Sequence, residues 1–137
     1  MTSDAAISGN NRLSGDGLPG QFSRCNIFNL RQDDTQAHGG EGLIRFARMA
    51  TSESLSGACN FIDFTTMPVG TSIGEHTHAM NEEEFYLILS GHGRMRRDGE
   101  EFDVGPGDLI RNRPGGTHGL TNTGSLPLQL FVFEVQA

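Results

Sequence analysis

Apolar residues in this chain come in short runs, many of them alternating with polar ones, and most runs end at a glycine or a proline. Alternation over four to eight residues reads as a half-buried β-strand, and the glycines and prolines read as turns. Strands are therefore expected over residues 43–49, 58–65, 84–89, 94–97, 109–113 and 128–134, and a first strand over 21–30 carried by Phe22, Ile27 and Phe28. Residues 31–37 are polar and turn-like. The Asp98-Gly99 pair is a strong two-residue hairpin signal, joining 94–97 to the run of Phe102 and Val104. In 43–49 the pattern does not decide the faces, because Ile44, Phe46 and Ala47 cannot all share one. If Glu84 points inward, so do Tyr86 and Ile88. Phe85, Leu87 and Leu89 then need cover from a second layer or a dimer contact.

At 137 residues, without an internal repeat, the chain is expected to form one domain over 21–137, with N-terminal strands at 21–57 and the barrel motifs at 70–122. Residues 1–20 are rich in Ser, Gly, Asn and Asp and are expected to be a flexible tail. Their Gly15-Asp-Gly17-Leu-Pro-Gly20 pattern formally matches a dinucleotide fingerprint. It lacks the strand before and the helix after that such a loop needs, and reads as coincidence. Nineteen glycines among short apolar runs suit an all-β fold.

The net charge of −7 gives no general attraction to nucleic acid or to an anionic membrane. All ten basic residues are arginines, which excludes lysine Schiff-base or lysine general-base chemistry. Arginine offers a planar fork suited to carboxylates. Cys25 and Cys59 carry no disulfide signal. With no signal-peptide pattern and no bilayer-length apolar run, a cytoplasmic location is the expectation.

Chemistry concentrates in residues 70–91. His76 and His78 sit at i and i+2, which in a strand puts both imidazoles on one face roughly 7 Å apart. Glu84 opens the next apolar run, and His118 follows the glycine-rich turn at 114–116. His76, His78, Glu84 and His118 together suit one divalent transition metal: Fe, Mn, Ni, Co or Zn. Two coordination positions of an octahedral ion would stay open. Asn122 reads as a turn cap, not a ligand. Gly70-Thr-Ser72-Ile-Gly74 also matches a nucleophile elbow, but no helix follows, so Ser72 reads as a turn residue.

At these residues the chain resembles the cupin superfamily. Gly70, His76, His78, Glu84 and Gly91 match its first motif, and Gly107, Gly115, His118 and Asn122 its second, with fifteen residues between. There are two departures. Five residues separate His78 from Glu84, so Glu82 or Glu83 competes as ligand, although the spacing to Gly91 favours Glu84. Arg113 stands where the second motif has its first proline. The resemblance implies a jelly-roll barrel (a double-stranded β-helix) with a metal inside one end, and a homodimer.

The expected partner is a small carboxylate-bearing ligand. Tyr86 is the candidate proton donor on the ligand face, and Arg111, Arg113 or Arg45 the candidate carboxylate clamp. His38 and Glu41, beside three glycines, read as a flexible turn, with a lid or edge over a pocket as the alternative. What the resemblance implies for function is a metal-dependent enzyme on a small anionic metabolite, like the cupins that resemble oxalate decarboxylases, sugar isomerases or sulfonium-acid lyases. An iron-dependent dioxygenase and a non-enzymatic ligand-binding module are the alternatives.

Overall fold

The computed structural model describes residues 24–137. The tail expected over 1–20, its glycine pattern and Phe22 lie outside the described residues. Ten strands follow in order: β1 (Asp33–Thr35), β2 (Ile44–Thr51), β3 (Cys59–Met67), β4 (Ser72–Thr77), β5 (Glu82–Ser90), β6 (Gly93–Arg97), β7 (Glu100–Val104), β8 (Leu109–Asn112), β9 (Thr117–Asn122) and β10 (Leu128–Gln136). They form two antiparallel sheets. One has the order β1-β2-β3-β10-β5-β8 and the other β4-β9-β6-β7. The all-β jelly roll is thus the fold observed. No helix among the described residues is long and apolar enough to cross a membrane.

Two expectations near the N-terminus are corrected. The described part of 21–30 is not a strand but a short 3-10 helix, Ile27–Asn29, whose first turn is capped by Asn26 Oδ1 accepting from the Phe28 N–H at 2.9 Å. Its apolar residues do not alternate because they serve another purpose. Cys25, Ile27 and Leu30 pack with Ala47, Met49 and Phe64 on the outer face of the larger sheet, and Phe28 sets its ring edge-on to Phe64 at 5.5 Å. This segment supplies part of the second layer that the two-sided apolar strands require. The second correction is β1, formed inside the polar stretch at 31–37. It is polar because it is an edge strand, paired only to β2.

Both central residues of the Asp98-Gly99 turn have positive φ, 51° and 84°, as a tight hairpin demands. Between the sheets lies an apolar core that includes Ile44, Phe61, Met67, Ile88, Leu120 and Leu130. Burying each such side chain stabilises the fold by about 1.5–3 kcal/mol. Registers align the inward positions into rows. One row runs Phe61, Glu134, Glu84, Asn112. The next runs Arg48, Asp63, Val132, Tyr86, Ile110.

In that second row Arg48 donates from Nε and Nη2 to the two oxygens of Asp63, both at 2.9 Å. Its guanidinium lies 4.4 Å from the Phe61 ring centroid. Burial pushes the Asp63 carboxyl up, and the Arg48 partner pulls it the other way. Removing one partner from a buried pair leaves an uncompensated charge. Arg48→Ala is expected to lose about 3–5 kcal/mol in urea unfolding, and pairing Arg48→Met with Asp63→Leu to recover most of it. An unchanged unfolding midpoint in the single variant would show that the pair contributes nothing.

Candidate metal centre

The first ligand strand is irregular in a way that serves the site. Ile73 and His76 both face the interior although they are three residues apart, which strict alternation forbids. A register shift against β9 between Ile73 and His76 takes up the odd residue. It sets His76 directly opposite His118. Just past the strand, the His78 N–H donates to the Gly116 carbonyl at 3.0 Å, which ties the second histidine to the glycine turn before His118. From the other sheet Glu84 comes in on β5. The four side chains His76, His78, Glu84 and His118 each offer a ligand atom, and these atoms all lie within 4.8 Å of one another.

The donor atoms are prepared for a cation. His76 Nδ1 lies 2.8 Å from the Gly74 carbonyl, which only accepts. Nδ1 therefore carries the proton and Nε2 the lone pair. Burial first, then the neighbouring His118, lower His76 to about 3, so its ring is neutral. His118 Nε2 is 2.9 Å from Glu84 Oε1. Burial alone would raise Glu84, but His118 and His78 hold it below the usual carboxylate range.

His78 stands between two carboxylates. Its Nε2 is 3.3 Å from Glu84 Oε1 and its Nδ1 is 3.0 Å from Glu134 Oε1. Burial lowers its pKa, yet Glu134 and Glu84 outweigh burial and raise it to about 10. Although both nitrogens are at ion-pair distance, neither is aligned as a hydrogen bond. An electron-rich, buried cluster with orphaned nitrogens fits a transition metal bound by imidazole and carboxylate.

Around the four lies a polar shell. Glu134 accepts from Asn60 Nδ2 at 2.8 Å, and Glu82 Oε1 accepts from the Ala79 N–H at 2.9 Å while lying 3.5 Å from His78 Nδ1. His78, Glu82 and Glu134 form a second compact group. Of the three consecutive glutamates, Glu84 is therefore the one grouped with all three histidines, Glu82 faces His78 from the other side, and Glu83 points outward to Arg111. Asn122 caps, donating to the Met67 and Leu126 carbonyls and accepting from the Gly124 N–H. Ser72 Oγ accepts from the Glu41 N–H at 2.8 Å.

Tyr86 is buried beside the cluster, its ring edge-on to His118 at 5.4 Å. Burial first, then the Glu84 charge, raise its phenol well above the ordinary value, so it keeps its proton. The arginines sit elsewhere. Arg111 alternates with the buried Ile110 and Asn112 and so faces out, onto Glu83. Arg113 is exposed, and both line a surface hollow of about 370 Å³ with Arg97, Asp98 and Glu100, none of which belongs to the cluster. Arg45 is exposed and lies 3.7 Å from Asp34. The interior arginine is Arg48, one inward step beyond Ile44 and Phe46.

The pattern reading left His38 in a flexible turn, with a lid or edge over a pocket as the alternative; the structure brings it to the site. Its ring stacks on His76 with centroids 3.5 Å apart and planes 6° apart. Burial lowers His38 to about 4 against the opposing pull of Glu84. Glu134 was missed, although it continues the inward series Leu128, Leu130, Val132.

His118→Ala removes one of four donors and is expected to abolish stable metal retention, read by elemental analysis after gel filtration. Retention equal to wild type would reject this ligand set. Glu134→Gln keeps all four donors but removes the charge facing His78 Nδ1. Metal affinity is expected to fall by about 10–100-fold in a chelator competition, the usual range for a lost carboxylate behind a ligating histidine.

Residues 63–134 match the Cupin domain family. An oxalate-binding protein of Thermotoga maritima is 30% identical over 91 residues, covering 66% of this chain and 74% of that protein. An uncharacterized protein of Methanocaldococcus jannaschii is 41% identical over 64 residues, 47% of this chain and 50% of that one. Among solved structures, a predicted oxalate decarboxylase of Thermotoga maritima superposes with a TM-score of 0.77 at 24% identity, covering 82% of this chain and 97% of that one. The Cnp3 cupin domain of Schizosaccharomyces pombe gives 0.70 at 12% identity, covering 84% and 74%. With the fold, the paired motifs and this match over more than half its length, the chain belongs to the cupin family.

Proposed function

We propose that this chain is a metal-dependent cupin that binds a small carboxylate of the oxalate class and acts on it by lyase-type chemistry. The observation that carries the reading is the convergence of His76, His78, Glu84 and His118, with the protonated Nδ1 of His76 turned away from the cluster. The carboxylate class rests on the similarity to an oxalate-binding protein. A divalent transition metal held by these four residues would supply Lewis-acid polarisation of a bound carboxylate oxygen.

The remaining work falls to the chain. Glu134 and Glu82 orient His78 and offset its charge. Tyr86, held protonated beside His118, gives its hydroxyl hydrogen bond to Glu84 and so helps hold that carboxylate in position. The apolar core beneath, with Ile88, Met95 and Leu130, keeps water from the inner side. Neither Arg111 nor Arg113 takes part, because both face outward.

A second reading is non-enzymatic binding, favoured by the oxalate-binding name of that relative. One set of measurements separates them. Calorimetric titration with oxalate is expected to give saturable binding in the metal-loaded protein and none after chelation. Formate and carbon dioxide released in equal amounts would establish the lyase. Saturable binding without product leaves the binding module. No binding at any metal loading rejects the carboxylate reading.

A further inference from the structure

Among the described residues only His38 and Asp98 combine a side chain with positive φ. The hairpin explains Asp98. His38, at φ 52°, lies in the loop at 36–42 between β1 and β2, far in sequence from the ligand residues. A backbone of this kind is strained and persists where the surroundings impose it.

Here the surroundings are β4. The Gly74 N–H donates to the Ala37 carbonyl at 3.0 Å and the Ser72 N–H to the Glu41 carbonyl at 3.0 Å. The Glu41 N–H returns to Ser72 Oγ at 2.8 Å. The two segments touch so closely that a Cβ at Gly74 would stand 2.1 Å from the His38 carbonyl oxygen, and one at Gly40 2.1 Å from that of Ser72. Glycine is required on both sides of this contact. The result is the flat stack of His38 on His76, 3.5 Å between centroids. Yet His38 is not in the compact group of four ligand side chains.

We propose that His38 is a ligand-contacting residue: it closes the centre on the His76 side and hydrogen-bonds, through a ring nitrogen, a small dicarboxylate held at the cluster. The assignment rests on the functional reading above. A dicarboxylate with one end at the cluster brings a second carboxylate that needs a donor. Arg45, Arg111 and Arg113 face outward, Arg48 is engaged by Asp63, and the Tyr86 hydroxyl is engaged by Glu84. His38 is the polar side chain that a strained, tightly fastened loop delivers to the exposed edge of the ligand set.

Two substitutions separate side chain from backbone. His38→Gly removes the ring at a φ that glycine accepts freely, and His38→Asn keeps a donor in a residue tolerant of that φ. Wild type and both variants are loaded with Co(II), their cobalt content is measured, and oxalate is titrated against the visible cobalt absorption. Equal cobalt content is expected in all three. His38→Gly should bind oxalate about tenfold more weakly or worse, and His38→Asn should recover part of the loss. Equal oxalate affinity in wild type and His38→Gly overturns the assignment while leaving the functional reading intact. Loss of cobalt in both variants also overturns it, since His38 would then belong to the shell of the ion. If wild-type cobalt protein ignores oxalate, the functional reading itself fails and takes the assignment with it.

Discussion

The register of β10 against β5 sets Glu134 directly opposite Glu84, with both side chains pointing into the barrel and almost wholly removed from water. Two carboxylates so placed are costly to bury unless a positive or hydrogen-bond-donating group lies between them. His78 is that group: one nitrogen faces each carboxylate. The same opposition explains why a cation suits the position. His78, His118, His76 and Glu84 would hold a cation there, and its charge would take the place of the proton that a ligating imidazole must give up.

The barrel confines this demand to one row. In the next row Arg48 and Asp63 neutralise each other, and beyond them the inward positions are Thr65, Leu130 and Ile88. Among the described residues, the buried glutamates Glu82, Glu84 and Glu134 therefore all lie at the end where the ligands converge. The bulge before His76 matters in the same way. Without the odd residue it absorbs, a strand carrying Ile73 inward would carry His76 outward, and the pair at i and i+2 would face solvent.

What was legible in the sequence was local. Turn chemistry at Asp98-Gly99, alternation along β5 and β10, and the spacing of His76, His78, Glu84 and His118 depend on neighbours in the chain. What was not legible was pairing at long range. The Asn60–Glu134 bond joins residues 74 apart, and the stack of His38 on His76 depends on how a loop docks. Some of this left a trace. Glu134 sits in phase with Leu128, Leu130 and Val132, and Arg48 in phase with Ile44 and Phe46; a charge on an inward phase is a request for a partner. Of the arginines chosen for the site, Arg111, Arg113 and Arg45, the two that lie within strands, Arg45 and Arg111, are on the outward phase, as their flanking buried residues show. The N-terminal segment misled for a different reason. Its apolar residues cover the outside of a sheet and so obey neither period.

Shape and charge at the centre also bear on what the site accepts. Three buried glutamates already surround it, and among the described residues the one interior arginine, Arg48, is committed to Asp63. On the proposed reading, an incoming anion would be balanced by a bound cation and by a hydrogen bond from the neutral His38, not by a guanidinium. Each further negative charge on the ligand would then enter a low-dielectric, electron-rich space without compensation. That constraint favours compact mono- and dicarboxylates over phosphorylated or polyanionic metabolites. It follows from the register of two strands as much as from the identity of the ligands.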